Sequence, residues 1–236
     1  MSALTSILES IGVFLGGLVA RLGIFLGALA VLVVPALLIA LALWWAGERR
    51  RRALGLKRVA GLTFRPAARY APGHTWLAPR RGGALEVGLD DLALHILPSV
   101  SAVELPHAGA RIAKGDVLAK LHGGGREIAI RSPFAGTIAG VNAAVLRDPG
   151  LVKLDGYGRG WLVALAPADE AREALEALPR GEAAEEFLRR ESARFARFME
   201  ERLGFAAADG GELLSPAPWL VGEEGWNALA ASFLAP

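Results

Sequence analysis

The stretch Glu127-Ile-Ala-Ile-Arg-Ser132-Pro-Phe-Ala-Gly136-Thr-Ile-Ala-Gly-Val141 decides the fold. A first apolar run stops at a Ser-Pro pair, and glycines bracket the second. Runs this short cannot complete an amphipathic helix, but they suit strands bounded by turns. The same pattern recurs outward in WLAP, ALEVGL, VSAVELPHAGARI, DVLAKL and GWLVAL. Gly82-Gly83, Ala108-Gly109, Lys114-Gly115 and Pro149-Gly150 supply turns between them. Four or more such runs at close spacing predict a mainly β body, a small antiparallel sandwich or barrel, beginning at Tyr70.

Upstream the pattern changes. The 25 residues from Leu22 to Ala46 carry no charge, and at 1.5 Å per residue they exceed a hydrocarbon core of about 30 Å. One transmembrane helix is expected. A cleaved signal peptide has a shorter apolar region behind a basic start, whereas Arg49, Arg50, Arg51 and Arg52 follow the run. The positive-inside rule then puts the amino terminus outside and the body in the cytoplasm, at a bacterial inner membrane. Trp44 and Trp45 fit an interfacial belt, and the arginines can also hold anionic headgroups. Before the span, Leu4, Ile7, Leu8, Ile11, Phe14, Leu15 and Leu18 recur at helical spacing. They predict an interfacial helix or a helical extension of the span. Gly12, Gly16, Ala20, Gly23, Gly27 and Ala30 form a small-residue stripe for packing against another helix. Pro35 should kink the helix or free a carbonyl.

Across 236 residues the net charge is +2, with 53% hydrophobic residues, 21% charged residues and no cysteine. A disordered chain, a disulfide framework, a thiolate metal site and a thiol nucleophile are thereby excluded. The charge is unevenly spread: zero before Gly47, +7 over residues 48–69 and −5 beyond. The division expected is an amphipathic segment and span over 1–47, a basic linker over 48–69, the β domain over 70–167 and a helical extension over 168–236. An acidic body and a collar without interleaved aromatics argue against nucleic acid.

Several stretches of the body resemble the glycine cleavage system H protein family, in order and spacing. They are Tyr70-Ala-Pro-Gly-His74-Thr-Trp76, Val87-Gly-Leu-Asp90-Asp91, Val103-Glu-Leu-Pro106, Ser132-Pro-Phe-Ala-Gly136-Thr-Ile138, Val141-Asn142 and Asp155-Gly-Tyr-Gly-Arg-Gly160-Trp-Leu162. The resemblance implies a lipoyl-type β sandwich, or hybrid barrel, with a lipoyl-lysine on a β-hairpin. In that family the lysine precedes the Ser-Pro pair by seven residues, which here selects Gly125. No lysine lies between Leu121 and Val152. Lys120 is the fallback, five residues earlier, on the strand entering the hairpin; Lys114 sits in an earlier turn. Arg126 is no substitute, because a guanidinium stays protonated. The family's carrier chemistry is therefore expected to be lost, with no cofactor. His122, Gly123, Gly124, Gly125 and Arg126 remain as a glycine tip, a simple tight turn or a surface a partner protein can approach closely.

Replacement chemistry is not evident. His74, His95, His107 and His122 show no metal-binding spacing. His74 is expected to be packed or hydrogen-bonded, His107 to lie in a turn, and Asp90 and Asp91 to be solvated in a loop. Gly156-Tyr-Gly-Arg-Gly160 precedes a strand-like run, not a helix, so it lacks phosphate-loop geometry. No enzyme is expected. After the body, Ala168–Leu178 predicts a short helix broken at Pro179-Arg-Gly181. A second helix follows from Glu182 to Leu203, with Phe187, Leu188, Phe195, Phe198, Met199 and Leu203 on one face. Residues 206–222 read as a loop and Glu223–Leu234 as a last helix, with Trp226, Leu229, Ala230 and Phe233 inward. The leading functional expectation is a noncatalytic, membrane-anchored interaction subunit of a larger complex, with a redox or respiratory assembly as host class. A tethered lipoyl carrier using Lys120 is the alternative, and a periplasmic membrane-fusion adaptor a second. The partners expected are the bilayer and other subunits.

Overall fold

A computed structural model describes residues 2–204, 208–209, 212–213 and 222–234; the side chains of 2–11, 19, 50, 51, 203, 208, 209, 212 and 213 stand outside that description. The chain divides into two units, 1–53 and 54–236.

The first unit is one continuous helix, α1 (Ser2–Leu54), which runs through Pro35 and reaches into unit 2. The amino-terminal segment is thus continuous in helix with the candidate span. Gly12–Leu54 is long and apolar enough to cross a membrane, and among the described residues no other helix is both. Large apolar side chains stand exposed along it, among them Phe25, Leu32, Leu37 and Trp44. In water this would expose far more apolar surface than a soluble monomer tolerates.

The second unit begins where a basic linker was expected. Residues 48–69 instead hold the end of α1 and a hairpin, β1 (Lys57–Val59) and β2 (Leu62–Phe64). Its turn, Ala60-Gly61, has positive φ at both positions, the geometry that matches strand twist in a two-residue hairpin. Lys57 and Arg58 face solvent while Val59, Leu62 and Phe64 are buried. The basic residues had hidden an apolar alternation.

Next come β3 (Arg69–Ala71), β4 (Thr75–Pro79), β5 (Leu85–Leu89), helix α2 (Asp91–Ile96), β6 (Ala102–Glu104), β7 (Arg111–Ile112), β8 (Val117–Gly123), β9 (Arg126–Arg131) and β10 (Gly136–Val141). Short helices α3 (Ala143–Arg147) and α4 (Leu151–Leu154) lead to β11 (Val163–Pro167). One antiparallel sheet has the order β3-β4-β5-β11-β10-β7; β6-β8-β9 form another, and both line one core.

Residues far apart in sequence meet there. Trp76 is fully buried, donates its indole N–H to Gly156 O at 3.2 Å and stacks on Tyr157 at 5.7 Å. Gly88 gives the indole room, since a Cβ there would lie 2.7 Å from it. Asn142 caps α3 and donates to Arg159 O and Trp161 O, tying β10 to the Gly156–Gly160 turn.

The extension holds a 3-10 turn (Asp169–Ala171), α5 (Arg172–Glu176), α6 (Glu182–Leu203), a minimal hairpin of β12 (Ala208–Asp209) and β13 (Glu212–Leu213), and α7 (Glu223–Phe233). Gly181, at φ +61, makes the break before α6. Leu188, Phe195, Met199, Trp226, Leu229 and Phe233 are buried against the core, as their spacing predicts. Leu203 and most of 206–222 lie outside the described side chains.

Candidate functional site: the glycine hairpin

Strands β8 and β9 pair from Val117↔Arg131 to Gly123↔Arg126, leaving Gly124-Gly125 as a two-residue turn. Both have positive φ, 58° and 75°, which glycine adopts without steric cost. Gly123 is buried, and a Cβ on it would stand 1.7 Å from Ser99 O. At Gly124 a Cβ would press on Pro98 at 3.1 Å, while Gly125 faces open space. Only the outer half of the tip is therefore free to meet anything. Arg126 adds a further intramolecular contact, its guanidinium lying 4.6 Å over the Trp226 ring of α7. No local pattern around Arg126 points to that partner, a hundred residues downstream.

Below the tip, polar side chains form a ladder. His122 Nε2 lies 2.8 Å from Glu104, and Lys120 Nζ 2.9 Å from Glu127. The Lys120–Glu127 hydrogen bond raises the lysine's pKa and lowers the carboxyl's. Lys120 stands mid-strand opposite Ala129, so its amine leaves a sheet face and not a loop.

These residues do not fit a lipoyl-lysine. The position that the motif selects is Gly125, and the chain has only three lysines besides Lys120. Lys57 belongs to β1, Lys153 donates to Leu97 O at 2.6 Å, and Lys114 lies at the opposite end of the β8–β9 ladder.

A second cluster joins α6 to the β domain. His74, itself at φ +58, is buried with Nδ1 2.9 Å from Asp90 Oδ2 and Nε2 3.4 Å from Glu191. Burial alone would lower the imidazole's pKa, but the Asp90 and Glu191 carboxylates outweigh it and raise it to about 9. Glu191 is lowered despite its own desolvation by the His74 hydrogen bond and by Arg194. A cavity of about 280 Å³ beside them is bounded by Phe187 and Phe233. His74 was expected to be hydrogen-bonded, and is. Asp90 and Asp91 correct their expectation: neither is a solvated loop residue. Asp90 is fully buried and caps α2 by accepting from Ala93 N, and Asp91 accepts from Thr63 N. Adjacent acids at a helix start can both be used, one as cap and one in the first turn.

Among the described residues no group of three or more His, Cys, Asp or Glu is placed to hold a metal. His107 lies in a turn closed by Ala110 N to His107 O. In the collar, Arg49 sits 5.1 Å over Trp45 and Arg52 pairs with Glu48 at 3.0 Å; the Arg50 and Arg51 side chains lie outside the described residues. Gly12, Gly16, Gly23 and Gly27 face open space, and Ala20 and Ala30 are exposed.

Comparison with known proteins places this geometry. Residues 68–191 match the family model for the glycine cleavage H-protein. The glycine cleavage system H protein of Pseudoalteromonas atlantica is 37% identical over 105 residues, 44% of this chain and 81% of that protein. That of Thermus thermophilus is 38% identical over 100 residues, 42% of this chain and 77% of that protein. The crystal structure of a glycine cleavage system H protein from Mycobacterium marinum aligns with a TM-score of 0.41 and 26% identity, covering 44% of this chain and 87% of that one.

Proposed function

Because this chain belongs to the glycine cleavage H-protein family, we propose that it keeps the family's β domain without the acyl arm and works as a noncatalytic, membrane-anchored subunit of a larger complex. The observation that carries this reading is the hairpin tip. Its turn is Gly124-Gly125, and the nearest amine, on Lys120, is ion-paired in mid-strand. Moving Lys120 to the position of Gly125 would slip β8 by five residues, and a slip by an odd number sends the buried set, Leu118, Leu121 and their neighbours, to the wrong face.

Anchoring is supported by α1, whose apolar surface finds its natural solvent in lipid. The collar arginines favour a cytoplasmic body. The exposed small-residue face of α1 suits a neighbouring helix, because backbones can approach closely where side chains are small. Two sheets over one core support a sandwich of the lipoyl type; its closure into a hybrid barrel is part of the proposal. Mild-detergent extraction of the tagged native chain, with quantitative mass spectrometry, tests the role. Stoichiometric co-purification of other membrane subunits is expected, and a chain that elutes alone under every mild condition contradicts it.

A further inference from the structure

At the far end of the β8–β9 ladder from the glycine tip, six strand steps or about 20 Å away, lies a cleft of about 550 Å³. Its walls are apolar: Pro72, Pro133, Phe134, Ala174 and Leu178. The Ser132 hydroxyl donates to Phe134 O at 2.7 Å and so fixes the floor. One cationic side chain, Lys114, also lines the cleft. It is exposed, on a turn that Gly115 makes at φ +86. The nearby Asp116 carboxylate accepts from Ala113 N at 2.8 Å through Oδ2 and makes no ion pair with Lys114. Among the described residues Lys114 has no ion-pair partner. A second cation stands beside it, since Arg131 Nη1 donates to Gly115 O at 2.9 Å.

An apolar cleft of this size with one or two polar groups at its edge has the make-up of a small-molecule site. The charge at the edge selects the ligand's head, and the walls select its body. We propose that this cleft binds a free medium-chain carboxylate, the chain between Phe134 and Leu178 and the head on Lys114. The site is separate from the hairpin tip and does not rest on the reading of the tip as unlipoylated.

The test uses the full-length chain in nanodiscs of zwitterionic lipid, with decanoate as the probe and saturation-transfer NMR against empty discs as the readout. Two variants at exposed positions, each checked by thermal melt, separate head from body: Lys114→Glu reverses the charge, and Ala174→Trp fills the cleft. Saturable binding is expected, weakened about tenfold or more by Lys114→Glu and lost in Ala174→Trp. A decyltrimethylammonium probe should not bind the native chain. Decanoate binding equal to that of empty discs, or unchanged by either variant, overturns the proposal, as does equal binding of the cationic probe.

Discussion

Replacing His74 with alanine removes a cation buried between two carboxylates. The ring is 2% exposed and Asp90 is fully buried, so truncation strands a carboxylate that keeps only its cap hydrogen bond from Ala93 N. Breaking a buried pair from one side costs about 3–5 kcal/mol. The pH dependence gives a second, independent handle. His74 has its pKa raised to about 9, above the ordinary 6.5, so the folded state binds its proton more tightly than the unfolded one. That contribution, about 3 kcal/mol at roughly 1.4 kcal/mol per pH unit, is complete below about pH 6.5. It declines above that and is lost as pH passes through about 9. Urea unfolding of the detergent-solubilised chain, followed by the change in tryptophan emission as buried Trp76 and Trp226 become exposed, should show native stability falling between pH 7 and pH 10. His74→Ala should be several kcal/mol weaker at pH 6, and the gap should narrow as pH rises. A gap of the same size at pH 6 and pH 10 would refute the buried imidazolium.

Other substitutions probe the hairpin. Gly123→Ala places a methyl against Ser99 O and should destabilise the domain by about 1–3 kcal/mol or more, read as a lower urea midpoint. Gly125→Lys meets open space and pays only for positive φ, about 1–2 kcal/mol. It should fold and acquire a lipoyl adduct when co-expressed with a lipoyl ligase, seen by intact mass. Trp226→Ala removes a nearly buried indole and its contact with Arg126. It should cost about 3–5 kcal/mol and raise hydrogen exchange in α7 and at Arg126.

The β domain was legible because its signals are local: short apolar runs, turn glycines and a Ser-Pro stop between β9 and β10. The helices of the extension were legible for the same reason, since Phe195 and Met199 or Leu229 and Phe233 lie one turn apart. Two local signals are masked by charge. The β1–β2 hairpin was hidden by Lys57 and Arg58, although Val59, Leu62 and Phe64 alternate around Ala60-Gly61 as a hairpin should. The start of α2 is masked by the adjacency of Asp90 and Asp91, which suits a solvated loop, although aspartate before an apolar Leu-Ala-Leu run is an N-cap signature. What the sequence could not show is pairing at a distance. Glu191 reaches His74 across 117 residues and Trp226 reaches Arg126 across 100, and both contacts exist only once α6 and α7 pack on the sheets.

The central claim, an H-protein domain that works without its acyl arm, meets its most direct test in the intact mass of the native chain. The protein should be purified from cells that lipoylate their other acyl carriers, with peptide mapping across Lys114 and Lys120. An unmodified mass is predicted. A lipoyl adduct on either lysine would contradict it and return the chain to carrier chemistry.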